Sequence, residues 1–160
     1  MTNPANGIHV INLIVYKIAE VLQTSGYPQP TIWRSSSITT VANNFDKLYF
    51  PKESLSRSPK YTRYLSDGKL LRTHTTAIMP ELLPHLHGEQ LIIHPGICYR
   101  RDVVDKRHVG EPHQMDVWWI SENQNLGREN LVKFIEIILH AVLPGICYRL
   151  NEASHPYTRN

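Results

Sequence analysis

Two runs of this chain, QLIIHPGICYRRD from Gln90 and HQMDVWWIS from His113, are strand-like and flank a charged segment, VVDKRHVGEP. Strand, loop and strand in that order predict an antiparallel hairpin over about 91–121. Side chains alternate along a strand, so Arg100 and Asp102 share one face, and Gln114 and Asp116 share a face of the neighbouring strand. A register that brings those faces together sets a guanidinium, two carboxylates and a carboxamide on one surface of an otherwise apolar sheet. A solvated face of an open antiparallel sheet would account for such residues. The loop argues for more: Lys106, Arg107, His108, Glu111 and His113 crowd where a plain hairpin uses a tight Gly and Asn turn. An Arg on rigid β-structure suits a bidentate grip on phosphate or carboxylate, and nearby acids suit an amine.

Periodicity supplies the helices. Ile8, Ile11, Ile14 with Val15, Ile18, and Val21 with Leu22 recur at helical spacing until Gly26 and Pro28, which predicts an amphipathic helix from about Ile8 to Ser25. Leu131, Ile135, Ile138 and Val142 predict a second helix within NLGRENLVKFIEIILHAVL. A short strand is expected near Tyr61 to Leu65. KLLRTHTTAIMPELLPHL predicts a strand and then a short helix, capped by Thr75 or Thr76, with Ile78, Leu82 and Leu86 on one face. The fold class is α+β, an antiparallel sheet flanked by helices.

The hexapeptide PGICYR occurs twice, at Pro95 to Arg100 and at Pro144 to Arg149, in unrelated flanks. Each copy reads as the same local device, with Pro-Gly breaking the preceding element and Ile-Cys-Tyr-Arg entering a sheet. The second copy is therefore expected to be a strand after the second helix.

At 160 residues the chain fits one globular domain, residues 1–160. A net charge of +3 permits contact with nucleotide or RNA without arguing for either, and nothing points to DNA. The apolar N-terminal run lacks a basic start and a cleavage site and is interrupted by Lys17 and Glu20, so no leader and no membrane span are expected. Two cysteines, Cys98 and Cys147, read as half-buried thiols of a cytoplasmic protein. Nine scattered histidines, without a pair at helical spacing, give no metal site. Trp118 and Trp119 point opposite ways on one strand, which puts at least one in the core.

The stretch ICYRRDVVDKRHVGEPHQMDVWWI resembles the second signature motif of class II aminoacyl-tRNA synthetases, in the form found in phenylalanyl-tRNA synthetase alpha subunits. LLRTHTTA at Leu70 is similar to the segment that family places beside its amino-acid pocket, and NNFDKLYFP at Asn43 to its Asn-Phe-Asp-x-Leu segment. The helix at Ile8 falls where motif 1 supplies a dimer interface. The resemblance implies formation of an aminoacyl-adenylate from an amino acid and ATP, with Mg²⁺. It would give Arg100 the α-phosphate and the substrate carboxylate, Asp102 the adenine amine, and His108 and His113 places near the nucleotide. Gln114 and Asp116 would hold the α-ammonium, with His74 and Thr76 on the amino-acid side and His155 and Tyr157 facing the substrate side chain. It also implies a homodimer, and leaves tRNA and a synthetase-like partner subunit as further partners.

The chain departs from that pattern at several places. Pro112 stands where the family stacks Phe on adenine, Val117 replaces a Gly, and ESLSRSP retains only Arg57 of a His-Pro-Ala-Arg segment. The third signature motif, whose Arg holds the γ-phosphate, is expected to be absent. These departures keep a second reading beside the ligase: a non-catalytic paralogue that binds an amino acid or nucleotide, or a dimerisation or regulatory module.

Overall fold

The computed structural model describes residues 8–106, 108–151 and 153–158, so Arg107 lies outside the described residues. In chain order the main elements are α1 (Val10–Thr24), β1 (Pro30–Ile32), β2 (Ile38–Thr40), α2 (Val41–Asn44), β3 (Lys69–Leu71), α3 (Met79–Leu82), β4 (Gln90–Ile97), β5 (His113–Ile120) and α4 (Arg128–Val142). They gather into two compact units.

One unit takes in the chain up to Ile32, His87–Ile93 and Val117–Leu150. Its α1 matches the expected helix. The Nδ1 of His9 caps it by accepting from the Ile11 N–H at 3.2 Å, and Gly26, at φ +87°, supplies the left-handed residue beyond its end. Val15, Ile18 and Leu22 are the buried row, each worth about 1.5–3 kcal/mol of burial. β1 runs parallel to the first half of β4, Pro30 opposite Leu91 and Ile32 opposite Ile93. In α4 the buried residue is Phe134, while Leu131, expected on the core face, is 58% exposed. The aromatic ring decides the helix rotation: Phe134 packs 5.1 Å from Tyr27, which meets Trp119 edge-on at 4.9 Å. Trp118 and Trp119 are both half-buried, so neither is the fully enclosed core residue that alternation implied.

The second PGICYR is not a strand. Gly145 turns left-handed at φ +77° after α4, and residues 146–150 run exposed without a ladder partner among the described residues. Strand character needs a paired edge, and the side chain here folds back instead: the Tyr148 hydroxyl donates to Glu136 of α4 at 2.6 Å.

The other unit takes in Trp33–Leu86, His94–Asp116 and the chain from Asn151. β2 and β3 pair antiparallel, Ile38 opposite Leu71. The strand expected near Tyr61 to Leu65 reduces to two isolated bridges, Thr62 with Arg100 and Tyr64 with Leu70. The expected threonine cap is also replaced. His74 occupies the cap position of a 3-10 turn over Thr75–Ile78 and makes no side-chain cap bond, while the Thr75 hydroxyl is used elsewhere.

Pro95 and Gly96 do not break the element they sit in, since β4 runs through them to Ile97. The N–H groups of Cys98 and Arg100 donate to the carbonyls of Pro112 and Gly110 at 2.9 and 2.8 Å. Alternation then puts the donor missing from Pro95 on the opposite edge, so the ladder to β5 loses nothing. Gly96 is needed for space: a Cβ there would lie 1.9 Å from Nη2 of Arg72.

Candidate active site

Asn44 builds the site's floor. It is fully buried, and its carboxamide donates to Thr73 Oγ1 at 2.9 Å while accepting from the Thr73 N–H at 3.1 Å. Its carbonyl accepts from His74 Nε2 at 3.0 Å. A clamp of this kind satisfies both sides of a buried amide and fixes the RTHTT segment against the helix before it. Burial pushes the His74 pKa down, only partly opposed by the Asn44 carbonyl and the Asp116 charge, so the ring is held neutral with Nδ1 left as an acceptor. Nδ1 is buried and has no partner among the described residues.

The hairpin supplies the polar wall. Arg100 donates from Nε to the Thr73 carbonyl at 2.9 Å. Thr75 donates its hydroxyl to Asp116 Oδ1 at 2.6 Å and its backbone N–H to Gln114 Oε1 at 3.3 Å. Arg100, Thr73, Gln114 and Asp116 line one cavity of about 660 Å³, while Thr75 is buried behind it. His74, Thr76, Arg100, Asp102, Gln114 and Asp116 all line it, so the hairpin's two polar pairs meet, although Arg100 and Asp102 lie past the end of β4 and not on the strand as expected. His155 and Tyr157 close it as a stacked pair, 5.3 Å apart and 4° from coplanar, and Phe50 stacks on His74 at 5.5 Å.

His108 and His113 are not part of that lining. His108 is exposed, and its Nδ1 and backbone N–H both bind Asp105, closing a tight turn at the hairpin tip. The same hydrogen bond raises its pKa. His113 sits exposed at the start of β5, one residue out of phase with Gln114.

The sequence reading missed Arg72. It is 4% exposed, donating from Nε to the Ile97 carbonyl at 2.9 Å and from Nη1 to Ser35 Oγ at 3.0 Å. Its neighbour His94 is fully buried and also has a lowered pKa, first through burial and then through the Arg72 charge. Arg72 opens the quoted RTHTT segment, so position beside a site motif was the available signal. Arg72 does not line the cavity; Phe50 and Tyr61 do, and they carried no signal.

Cys98 is buried and Cys147 exposed, and both are free thiols. The two are therefore not alike, because only the first copy of the hexapeptide is in a sheet. Among the described residues no cluster of three or more His, Cys, Asp or Glu could hold a metal ion, and no helix is long and apolar enough to cross a membrane.

Residues 2–160 match the family described as tRNA synthetases class II core domain (F). The chain belongs to the class II tRNA synthetase core family. Among its relatives are phenylalanine-tRNA ligase alpha subunits of Nostoc punctiforme, 30% identical over 98% of this chain and 46% of that protein, and of Acaryochloris marina, 29% identical over 97% and 46%. This class II core chain thus spans about half the length of the curated relatives it matches. A solved pyrrolysyl-tRNA synthetase from Desulfitobacterium hafniense superposes with a TM-score of 0.64 at 17% identity, covering 82% of this chain and 47% of that one. At that identity the likeness establishes the fold, and it agrees with the α+β class II architecture that the resemblance implied.

Proposed function

We propose that this chain activates an amino acid with ATP, as the core of a phenylalanyl-tRNA synthetase alpha-like ligase. The observation that carries the reading is the convergence of one fixed guanidinium, Arg100, and one carboxylate, Asp116, on a single cavity closed by aromatic rings. In the reaction the amino-acid carboxylate attacks the α-phosphorus of ATP, a new P–O bond forms and pyrophosphate leaves. Catalysis of that step is mainly positioning and neutralisation of charge. Arg100 neutralises the α-phosphate and the approaching carboxylate, Asp102 accepts from the adenine amine, and Asp116 accepts from the α-ammonium. His74 and Thr76 shape the amino-acid side, and the rings of His155 and Tyr157 meet the substrate side chain. Among the described residues no cluster of three or more His, Cys, Asp or Glu could hold a metal ion; Mg²⁺ would enter with the phosphates of ATP, and no step is assigned to it.

On the same reading the whole chain works as one cytoplasmic core domain. A second copy docks through the exposed apolar residues Leu13 and Tyr16 of α1, and tRNA and a synthetase-like subunit are the wider partners. His108 is assigned to outer phosphates that reach past the cavity, and His113 to the ATP side of the site. One observation favours the non-catalytic alternative. Pro112 is a ladder residue with no aromatic face to stack on adenine.

ATP-pyrophosphate exchange across the standard amino acids separates the two. Exchange with one amino acid, lost in Arg100→Ala, supports the ligase. Saturable amino-acid or nucleotide binding by folded protein without exchange supports the paralogue.

A further inference from the structure

Gln114 is held by two donors on the same atom. Its Oε1 accepts from the Thr75 backbone N–H at 3.3 Å and from the Cys98 thiol at 3.1 Å. A backbone N–H can only donate, so the amide edge that meets Thr75 must be the carbonyl oxygen. The thiol is a donor for the same reason of protonation: Cys98 is fully buried, and burial pushes its pKa up to about 11, so it stays S–H at neutral pH. Gln114 lines the cavity, and its Nε2 bonds to none of the described residues. The carbonyl is therefore turned to the protein and the NH₂ to the cavity.

From this orientation we infer that Gln114 serves as a hydrogen-bond donor to an anionic oxygen of the substrate, its carboxylate, while the α-ammonium falls to Asp116, with Cys98 and Thr75 as the positioning residues that set the amide. This deepens the activation reading and rests on it. It also departs from what the resemblance implies, that Gln114 and Asp116 share the ammonium. An NH₂ group cannot accept from an ammonium, and turning the amide over would set two donors, Nε2 and the Thr75 N–H, face to face. Asp116 is suited to the ammonium because a carboxylate only accepts.

The division predicts which part of a ligand each side chain recognises. The probes are L-phenylalanine, 3-phenylpropionate, which lacks the ammonium, and phenethylamine, which lacks the carboxylate. Binding of each is measured by calorimetry with the full chain, wild type and Gln114→Ala. The expected result is a loss of tenfold or so for phenylalanine and phenylpropionate, with phenethylamine unmoved. Cys98→Val should shift affinities in the same pattern by a smaller factor, and Cys98→Ser, which restores an O–H donor, should recover the wild-type pattern. A merely structural role for Cys98 would move all three probes together and would not distinguish Ser from Val. Loss confined to phenylalanine and phenethylamine in Gln114→Ala overturns the inference and leaves the activation reading standing. If the folded wild type binds none of the probes and exchanges with no amino acid, the activation reading fails and the inference fails with it. If exchange names another amino acid, its own acid and amine analogues replace the phenyl series and the same two patterns decide.

Discussion

Nε of Arg100 donates to the Thr73 carbonyl at 2.9 Å, and its two terminal nitrogens bond to none of the described residues. The guanidinium is thereby pinned at its root to the RTHTT segment while its fork remains available at the cavity it lines. Arg100→Lys keeps the charge and loses both the pin and the fork. On the activation reading, exchange should fall by about 100-fold in Arg100→Lys, with the folded midpoint nearly unchanged. Wild-type exchange in this variant would remove Arg100 from the chemistry.

Thr75 is fully buried and gives its hydroxyl to Asp116. Thr75→Val preserves shape and removes that donor, leaving a carboxylate oxygen less satisfied. A loss of about 1–3 kcal/mol in urea unfolding is expected. A variant as stable as wild type would mean the bond contributes nothing to the fold.

The N-terminal helix was legible because it has a long, uniform period and a clear stop, whereas the first hairpin strand ends at Ile97, short of Arg100 and Asp102. Gly26 ends the helix in the structure where the sequence placed the break. The errors fall where non-local contacts decide. Thr75 has a good capping side chain, but the half-buried Asp116 of β5 competes for its hydroxyl and wins. Leu131 fits the apolar row of α4, but the larger Phe134 ring finds Tyr27 and turns the helix toward itself. Pro95 looked like a breaker because sequence does not say which edge of a strand its missing donor faces. Alternation paired Arg100 with Asp102 and Gln114 with Asp116, and an assumed register was needed to bring the two pairs together. The clamp by Asn44 and the burial of Arg72 were not, since both depend on segments that meet only after folding.

Two histidines make stability depend on pH in one direction. His74 and His94 both have pKa values lowered from 6.5, burial being the first cause in each. The unfolded chain therefore binds more protons than the native state once pH falls below about 6.5. Their contribution is complete above that value and is lost as pH drops toward their folded values. Unfolding free energy should decline between pH 7 and pH 5, and His94→Gln should flatten the decline. An unchanged slope in that variant would assign the dependence to other groups.

Thiol reactivity should separate the two cysteines. Cys98 is buried with its pKa near 11, and Cys147 is exposed. A disulfide reagent at pH 8 should titrate one thiol in the native chain and both in denaturant. Two fast native thiols would contradict the enclosure of Cys98.

Gly96 leaves no room for a methyl group beside the Arg72 guanidinium, which is held by Ile97 and Ser35. Gly96→Ala should cost about 1–3 kcal/mol, seen as a lower denaturation midpoint. No change would show that the guanidinium yields freely.

The two PGICYR copies place the same six residues in opposite circumstances, one in a buried ladder and one on exposed, unpaired chain. Identical neighbours give the amides of Cys98 and Cys147 the same intrinsic rate of exchange with heavy water. The ratio of their measured rates then cancels local chemistry and reports the opening free energy of the hairpin alone. The molecule thus carries its own unprotected reference peptide, and ligand binding at the cavity can be followed as a slowing at one copy calibrated by the other.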